Sequence, residues 1–319
     1  MGKMKKIMKK KELMIAIPTK NHPKYIMYYL AKVLDDAFNN NIDIIIYDSS
    51  DDKDTELIVT DRINQGYTNL FYKKYDSGVT LEERLMDIYV DTGYRYVWLC
   101  GDGVIINLLK DIKIVEDEIN KGKQIIVFGQ YKIRGKEYLE YANSVQFCLE
   151  CFAQDTFFGS VILRVELVTK ELFQYCIDTY CEHAVPAIYY ELFSEGKIQA
   201  TYIYQIYFYD PNPFKKNSIA MKEGRTIYAF AHLFHETILK LPDCYNGIKK
   251  SLYRWQKGMY DWGHLWSMRA NGNLNLKIYW KEKKYLRLSS NKLAIIYFII
   301  CLCPKQMAEN IALIEDQIW

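Results

Sequence analysis

The chain has 319 residues, half of them hydrophobic and a quarter charged, with a net charge of +3. That length and apolar content suffice for one large domain or two modest ones and exclude global disorder. The small positive charge gives no argument for nucleic acid, and none is expected as a partner.

In chain order, Lys3, Lys5, Lys6, Lys9, Lys10 and Lys11 form a basic leader over residues 1–11. Its plain reading is a solvated tail, and the sharper alternative is a weak attraction to an anionic inner membrane surface. Residues 13–17 are a short apolar strand, stopped by Pro18. The loop Thr19-Lys20-Asn21-His22-Pro23 follows. Ile26, Tyr29, Leu30, Val33, Leu34 and Ala37 then recur at helical spacing across residues 25–38. Residues 42–47 form a second buried strand that ends in Asp48-Ser49-Ser50-Asp51-Asp52. A helix over 55–63, a strand over 70–73, a loop at Asp76-Ser77-Gly78 and a helix over 81–90 complete the alternation. Near-continuous apolar strands alternating with helices predict an α/β fold, a parallel sheet covered on both faces.

The next strand, residues 96–100, is short, apolar and aromatic, and runs into Gly101-Asp102-Gly103. A carboxylate between glycines at the carboxyl end of a buried strand sits where open α/β sheets bind ligands, on a backbone free to turn sharply. Asp102 is therefore the first candidate for chemistry, against the plainer reading of a turn aspartate. Neither a Gly-x-Gly-x-x-Gly fingerprint nor a phosphate-binding P-loop follows the first strand, so the usual dinucleotide and P-loop solutions are unsupported.

These segments together resemble a family 2 glycosyltransferase of the GT-A fold. Residues 15–21, Ile-Ala-Ile-Pro-Thr-Lys-Asn, resemble that family's opening strand and Pro-Thr-x-Asn loop. Residues 44–52, Ile-Ile-Ile-Tyr-Asp-Ser-Ser-Asp-Asp, resemble its second strand and acidic loop, with Ser50 where the family has glycine. Residues 97–102, Val-Trp-Leu-Cys-Gly-Asp, sit where the family places Asp-x-Asp, with Cys100 at the first aspartate and Asp102 at the second. The likeness covers about residues 12 to 200. It implies a Rossmann-like, mostly parallel sheet with flanking helices over residues 12–210. It also implies a nucleoside-diphosphate sugar donor, UDP first among them, held by Pro18, Thr19, Asn21, Asp48, Ser50, Asp51, Arg84, Gly101 and Asp102. Asp102 would carry Mn2+ or Mg2+, because such an ion needs only one or two carboxylates when the diphosphate supplies further oxygens. Lys20 is a further candidate for the phosphate clamp.

The family's base lies beyond the metal strand, after a segment with a glycine and basic residues, which Phe-Gly-Ser-Val-Ile-Leu-Arg at 158–164 resembles. The candidates are Glu182 first, His183 second and Asp155 third; each is also readable as an ordinary solvated charge. A helix is expected over 189–195, ending at Gly196. The implied reaction is an inverting, metal-assisted sugar transfer to a glycan, lipid-linked or protein-linked acceptor, in polysaccharide biosynthesis. The alternative, raised by Cys100, is a GT-A binding module or partner subunit with little or no catalysis.

Residues 201–209 are a tyrosine-rich strand, and 210–225, with Lys215, Lys216, Lys222 and Arg225, are a candidate lid over the diphosphate. From 226 on the periodicity is helical, so residues 211–319 are expected to form a mainly helical region on the acceptor side or in contact with a membrane or partner. His232 and His235 share a helix face and are candidate metal neighbours, although surface or capping roles are commoner. Trp255, Tyr260, Trp262 and Trp266 suit either sugar stacking or a helical core. The eleven-residue apolar run at 293–303 is too short to cross a bilayer and reads as a buried helix or a membrane-surface patch. Cys148 and Cys151 lack a second pair at zinc spacing. Eight cysteines without an apolar signal segment predict free thiols in a reducing cytoplasm, at the inner face of the membrane if the leader attaches there, with homo-oligomerisation left open.

Overall fold

The computed structural model describes residues 11–107, 112–152, 158–180, 184–205, 209–211, 213, 232–255 and 262–315. The chain divides into two compact units. The first is Met1–Asp178 with Ala184–Lys215, and the second is Thr179–His183 with Lys216–Trp319.

The first unit is built on β1 (Lys11–Thr19), α1 (Pro23–Asn39), β2 (Asp43–Asp48), α2 (Asp54–Asn64), β3 (Leu70–Lys74), α3 (Leu81–Tyr89) and β4 (Tyr94–Leu99). It continues through β5 (Val104–Ile106), α4 (Lys113–Asn120), β6 (Ile125–Gly129), β7 (Tyr138–Asn143), α5 (Ser144–Cys151) and β8 (Val161–Arg164). α6 (Lys170–Tyr180), α7 (Ala184–Leu192), β9 (Lys197–Tyr204) and β10 (Tyr209–Pro211) follow. Eight strands form one sheet in the order β3-β2-β1-β4-β8-β6-β9-β7, and β5 pairs with β10 in a separate ribbon.

β3, β2, β1 and β4 run parallel, as the apolar runs of the sequence predict. The sheet is mixed beyond β4. β8 pairs antiparallel with both β4 and β6, β6 pairs parallel with β9, and β7 closes the far edge antiparallel to β9. β1 is buried on both faces. Leu13, Ile15 and Ile17 join a core with Ile26, Tyr29 and Leu30 of α1, whereas Met14 and Ala16 turn to the opposite face. Alternate residues of a strand point to opposite sides, which is why a doubly covered strand reads as an unbroken apolar run.

Three boundaries differ from expectation. Pro18 does not stop β1; it lies opposite Tyr47, and the strand continues to Thr19. A proline this close to a strand end removes only one donor from the ladder. The helix expected over 189–195 is α7, which starts at Ala184, and Pro186 sits in its first turn, where no intrahelical N–H bond is lost. Residues 205 and 209–211 leave β9, so the strand expected over 201–209 is two, β9 and β10.

The second unit contains α8 (Phe234–Lys240), α9 (Lys249–Trp255), α10 (Trp262–Ala270), α11 (Leu276–Ser289), α12 (Asn291–Leu302) and α13 (Lys305–Glu315). Its core includes Leu265, Trp266, Leu274, Tyr279, Leu286 and Tyr297. Trp266 is therefore a packing residue. The helical histidines are also used locally. His232 Nδ1 lies 3.1 Å from Glu282, and the fully buried His235 meets Ser289 Oγ at 2.9 Å through Nε2 and stacks on Tyr253. Among the described residues, no group of three His, Cys, Asp or Glu side chains could hold a metal ion.

Candidate functional site

The carboxyl ends of β1, β2 and β4 converge because these strands are neighbours in register. Thr19 lies opposite Asp48, and Ala16 opposite Leu99. Each strand then delivers a polar loop to the same edge of the sheet.

The β2 loop is built around Asp48, whose side chain has 0% exposure. One carboxylate oxygen accepts from the Ser50 backbone N–H at 2.8 Å and from Ser50 Oγ at 2.5 Å. The other accepts from Tyr72 Oη at 2.7 Å and from Lys74 Nζ at 3.3 Å. Burial pushes the Asp48 pKa up, but the hydrogen bonds from Ser50, Tyr72 and Lys74 outweigh it and hold the group below its ordinary value. Lys74 also donates to the carbonyls of Ser50 and Asp52, at 2.7 and 2.9 Å. Asp48 and Lys74 are thus the internal frame of the acidic loop. They fix the backbone that presents Asp51.

The β1 loop locks onto that frame. Asn21 has a φ of +57°, a left-handed conformation that asparagine tolerates better than most side chains. Its N–H donates to Ser50 Oγ at 2.7 Å. Its side-chain amide donates to Asp51 Oδ2 at 2.6 Å, and its amide oxygen accepts from the Asp51 N–H at 2.9 Å. The Asn21 contact, with help from Ser77, lowers the Asp51 pKa. Lys20 reaches across to the Ser77 carbonyl at 2.6 Å.

Beneath both loops lies Arg84, 5% exposed, on the buried side of α3 with Leu85 and Ile88. Its Nη1 donates to the carbonyls of Thr19 at 2.7 Å and Tyr47 at 3.1 Å. Burial lowers its pKa, and nearby acids, Asp48 foremost, oppose that. Sequence reasoning puts Arg84 among the donor contacts; in the structure its Nη1 ties the ends of β1 and β2 together.

Asp102 closes the site on the β4 side. Its Oδ2 accepts from Thr19 Oγ1 at 2.7 Å and meets His22 Nδ1 at 2.9 Å. The hydrogen bond to Asp102 raises the His22 pKa, against partial burial. His22 stacks on Tyr25, with ring centroids 4.5 Å apart, and occupies the N-cap position of α1 without a side-chain capping bond. The N-terminus of this 17-residue helix, a natural place for an anion, therefore lies beside Asp102. Gly101 is not among the positive-φ glycines, and its carbonyl accepts from the Val104 N–H at 3.1 Å. A Cβ added there would meet Phe158 Cβ at an ordinary 3.8 Å.

Cys100, at the position of the absent first aspartate, is fully buried, and burial pushes its thiol pKa well up. The Asp102 carboxylate is a hard oxygen donor of the kind that suits Mg2+ or Mn2+.

The structure thus brings Thr19, Asn21, Ser50, Asp51 and Asp102 to one edge, with Pro18, Asp48 and Arg84 beneath as framework. Glu182, His183 and Asp155 lie outside the described residues, as does the basic stretch with Lys215, Lys216, Lys222 and Arg225. His22 is the residue that sequence reasoning missed, because only the fold brings it to Asp102. A separate cavity of about 690 Å³ opens at the amino-terminal ends of β1 and β2, among Lys11, Asp43, Asn69 and Glu116. Within it Lys11 pairs with Asp43 at 2.5 Å, and Asn69 donates to the Ile42 carbonyl at 2.7 Å.

No model of a known protein family matches the chain, and no curated protein matches it. Among solved structures, it is similar to residues 1–349 of Staphylococcus aureus TarS. The identity is 12%, the TM-score 0.54, and the match covers 97% of this chain and 92% of that one. The same TarS fragment in complex with UDP-GlcNAc matches at 11% identity and a TM-score of 0.52, over 96% of this chain and 92% of that one. The mannosyltransferase PcManGT from Pyrobaculum calidifontis, in complex with GDP-Man and Mn2+, matches at 13% identity and a TM-score of 0.50, over 92% and 88%. The chain has the GT-A fold: a mixed eight-stranded sheet flanked by helices, with a helical C-terminal region.

Proposed function

We propose that the chain is a nucleotide-sugar-dependent glycosyltransferase that uses a nucleoside-diphosphate donor, with UDP as the first nucleotide to test. The observation that carries this reading is the closure of the β1 loop onto Asp102 through Thr19 and His22. It joins a carboxylate, an imidazole and a helix N-terminus at one sheet edge, beside the Asn21–Asp51 lock. The GT-A neighbours that hold UDP-GlcNAc, or GDP-Man with Mn2+, support the same reading.

In this reading, Asn21 and Asp51 offer polar groups to the base and ribose, on a backbone fixed by Asp48, Ser50 and Lys74. The α1 N-terminus and His22 lie where the diphosphate's negative charge builds up, and such fixed positive ends favour charge that develops in the transition state. Asp102 would hold Mn2+ or Mg2+, which when bound supplies further positive charge against the leaving diphosphate. The acceptor is a hydroxyl of a glycan, a lipid-linked sugar or a protein-linked sugar. It attacks the anomeric carbon, its proton passes to a base, and the C–O bond to the diphosphate breaks with inversion. Glu182 is assigned as that base, ahead of His183 and Asp155.

A second reading, a GT-A module that binds the donor without transferring sugar, is favoured by the burial of Cys100 where the metal motif would have a carboxylate. A screen of nucleotide sugars for turnover, with and without Mn2+, separates the two. Metal-stimulated consumption of one donor supports the enzyme, and tight donor binding without turnover supports the module.

A further inference from the structure

A helix that is apolar on every side belongs inside a protein. α12 carries a single charge, Lys292, in twelve residues, yet it is only half covered. Leu293, Ala294, Tyr297 and Ile300 are buried, while Ile295, Ile299 and Leu302 are 59%, 55% and 58% exposed. Those three recur at i, i+4 and i+7 and so form one stripe. α11 extends the surface. Trp280, also 59% exposed, meets the Phe298 ring edge-on at 6.3 Å. Lys283 Nζ sits 4.2 Å over the centre of the Trp280 ring.

The exposed charges of α11 and α12 have one sign. α11 carries Lys277, Lys281, Lys283, Lys284 and Arg287; its one acid, Glu282, is buried and faces His232. Lys277, Lys281, Lys284, Arg287 and Lys292 are all exposed.

We propose that this face of α11 and α12 rests on the surface of an anionic lipid bilayer. Aliphatic residues and a tryptophan, bordered by lysine and arginine, match the boundary between acyl chains and anionic headgroups. The uniform positive sign selects an anionic surface. The dimensions select lying on it: twelve helical residues span about 18 Å against a hydrocarbon core of about 30 Å. Among the described residues no single helix is long and apolar enough to cross a membrane, and α12 and α13 pass that test only as a pair bent by 113°.

The test is co-sedimentation of the full chain with vesicles of phosphatidylcholine alone or of equimolar phosphatidylcholine and phosphatidylglycerol. Binding is expected to the mixed vesicles, at least about tenfold weaker to the neutral ones, and to fall as salt is raised. Ile295→Glu with Ile299→Glu, and separately Lys277→Glu with Arg287→Glu, should each reduce binding roughly tenfold or more. Both pairs are exposed, so circular dichroism and melting should be unchanged. A chain with Lys3, Lys5, Lys6, Lys9 and Lys10 changed to glutamine should still bind through this face. The proposal is overturned by no binding, by equal binding to both vesicles, or by binding that vanishes with the leader lysines and ignores the α11 and α12 substitutions. It is also overturned if the wild type sediments as a dimer that Ile295→Glu with Ile299→Glu makes monomeric, since a second copy then owns the face.

Discussion

Thr19 Oγ1 donates to Asp102 Oδ2 at 2.7 Å, across 83 residues of chain. The contact exists because β1 and β4 are parallel neighbours, so their loops leave the sheet side by side. Asp102→Asn keeps the shape and removes the charge. Donor turnover should fall about 100-fold or more, the scale of losing one transition-state electrostatic partner. Stability should shift by less than about 1 kcal/mol, because the change is isosteric and the side chain keeps 15% exposure at the sheet edge. Donor consumption measured with and without Mn2+ checks this; wild-type turnover with the wild-type metal response would remove Asp102 from the site.

Glu182→Gln should separate binding from transfer. Calorimetric donor affinity should stay at the wild-type level while transfer to acceptor is lost, because only deprotonation of the acceptor needs the base. Lost donor affinity in Glu182→Gln would move the base assignment to His183 or Asp155.

Asp48 should contribute to the acid dependence of stability. Its folded pKa is depressed, so its contribution is present above the unfolded value of about 3.9 and is lost as pH falls through the lower folded value. Asp48→Asn should cost about 2 kcal/mol or more near neutral pH, because Tyr72 and Lys74 lose a buried ionised acceptor. It should also flatten the decline in stability below about pH 4. Urea unfolding across that range tests both, and parallel acid slopes for the two proteins would contradict the assignment.

Arg84→Met distinguishes frame from clamp. The substitution takes the Arg84 donor from the Tyr47 carbonyl and leaves the Thr19 carbonyl with the Ser49 N–H alone, and about 2 kcal/mol of unfolding free energy should go. A variant of unchanged stability with weakened donor binding would instead restore Arg84 to the diphosphate.

The parallel half of the sheet was legible because β1, β2 and β4 are buried apolar runs and two of them lead into acidic loops. The antiparallel insertion of β8 between β4 and β6 was not, since an apolar run declares burial and says nothing about its pairing partner. Asp48 was found by type but not by role. Its burial depends on Tyr72 and on Lys74, which the β2–β3 register sets directly opposite it. Arg84 did carry a readable signal: it falls beside Leu85, one turn before Ile88, on the inward side of α3. His22 carried none beyond Pro23 marking the helix start.

β8 has a consequence for how the chain is made. Three residue pairs join it to β4, and Trp98 Nε1 reinforces the seam by donating to the Gly159 carbonyl at 2.7 Å, 61 residues away. Until residues 159–164 leave the ribosome, the parallel half can assemble from neighbouring segments, but the outer edge of β4 stays open. Tyr96, Val97 and Trp98 then present unpaired backbone on a strand of large apolar side chains, a template for pairing with another chain. Premature termination or slow synthesis between β4 and β8 should therefore favour aggregation, and completing β8 converts that open edge into the middle of the sheet.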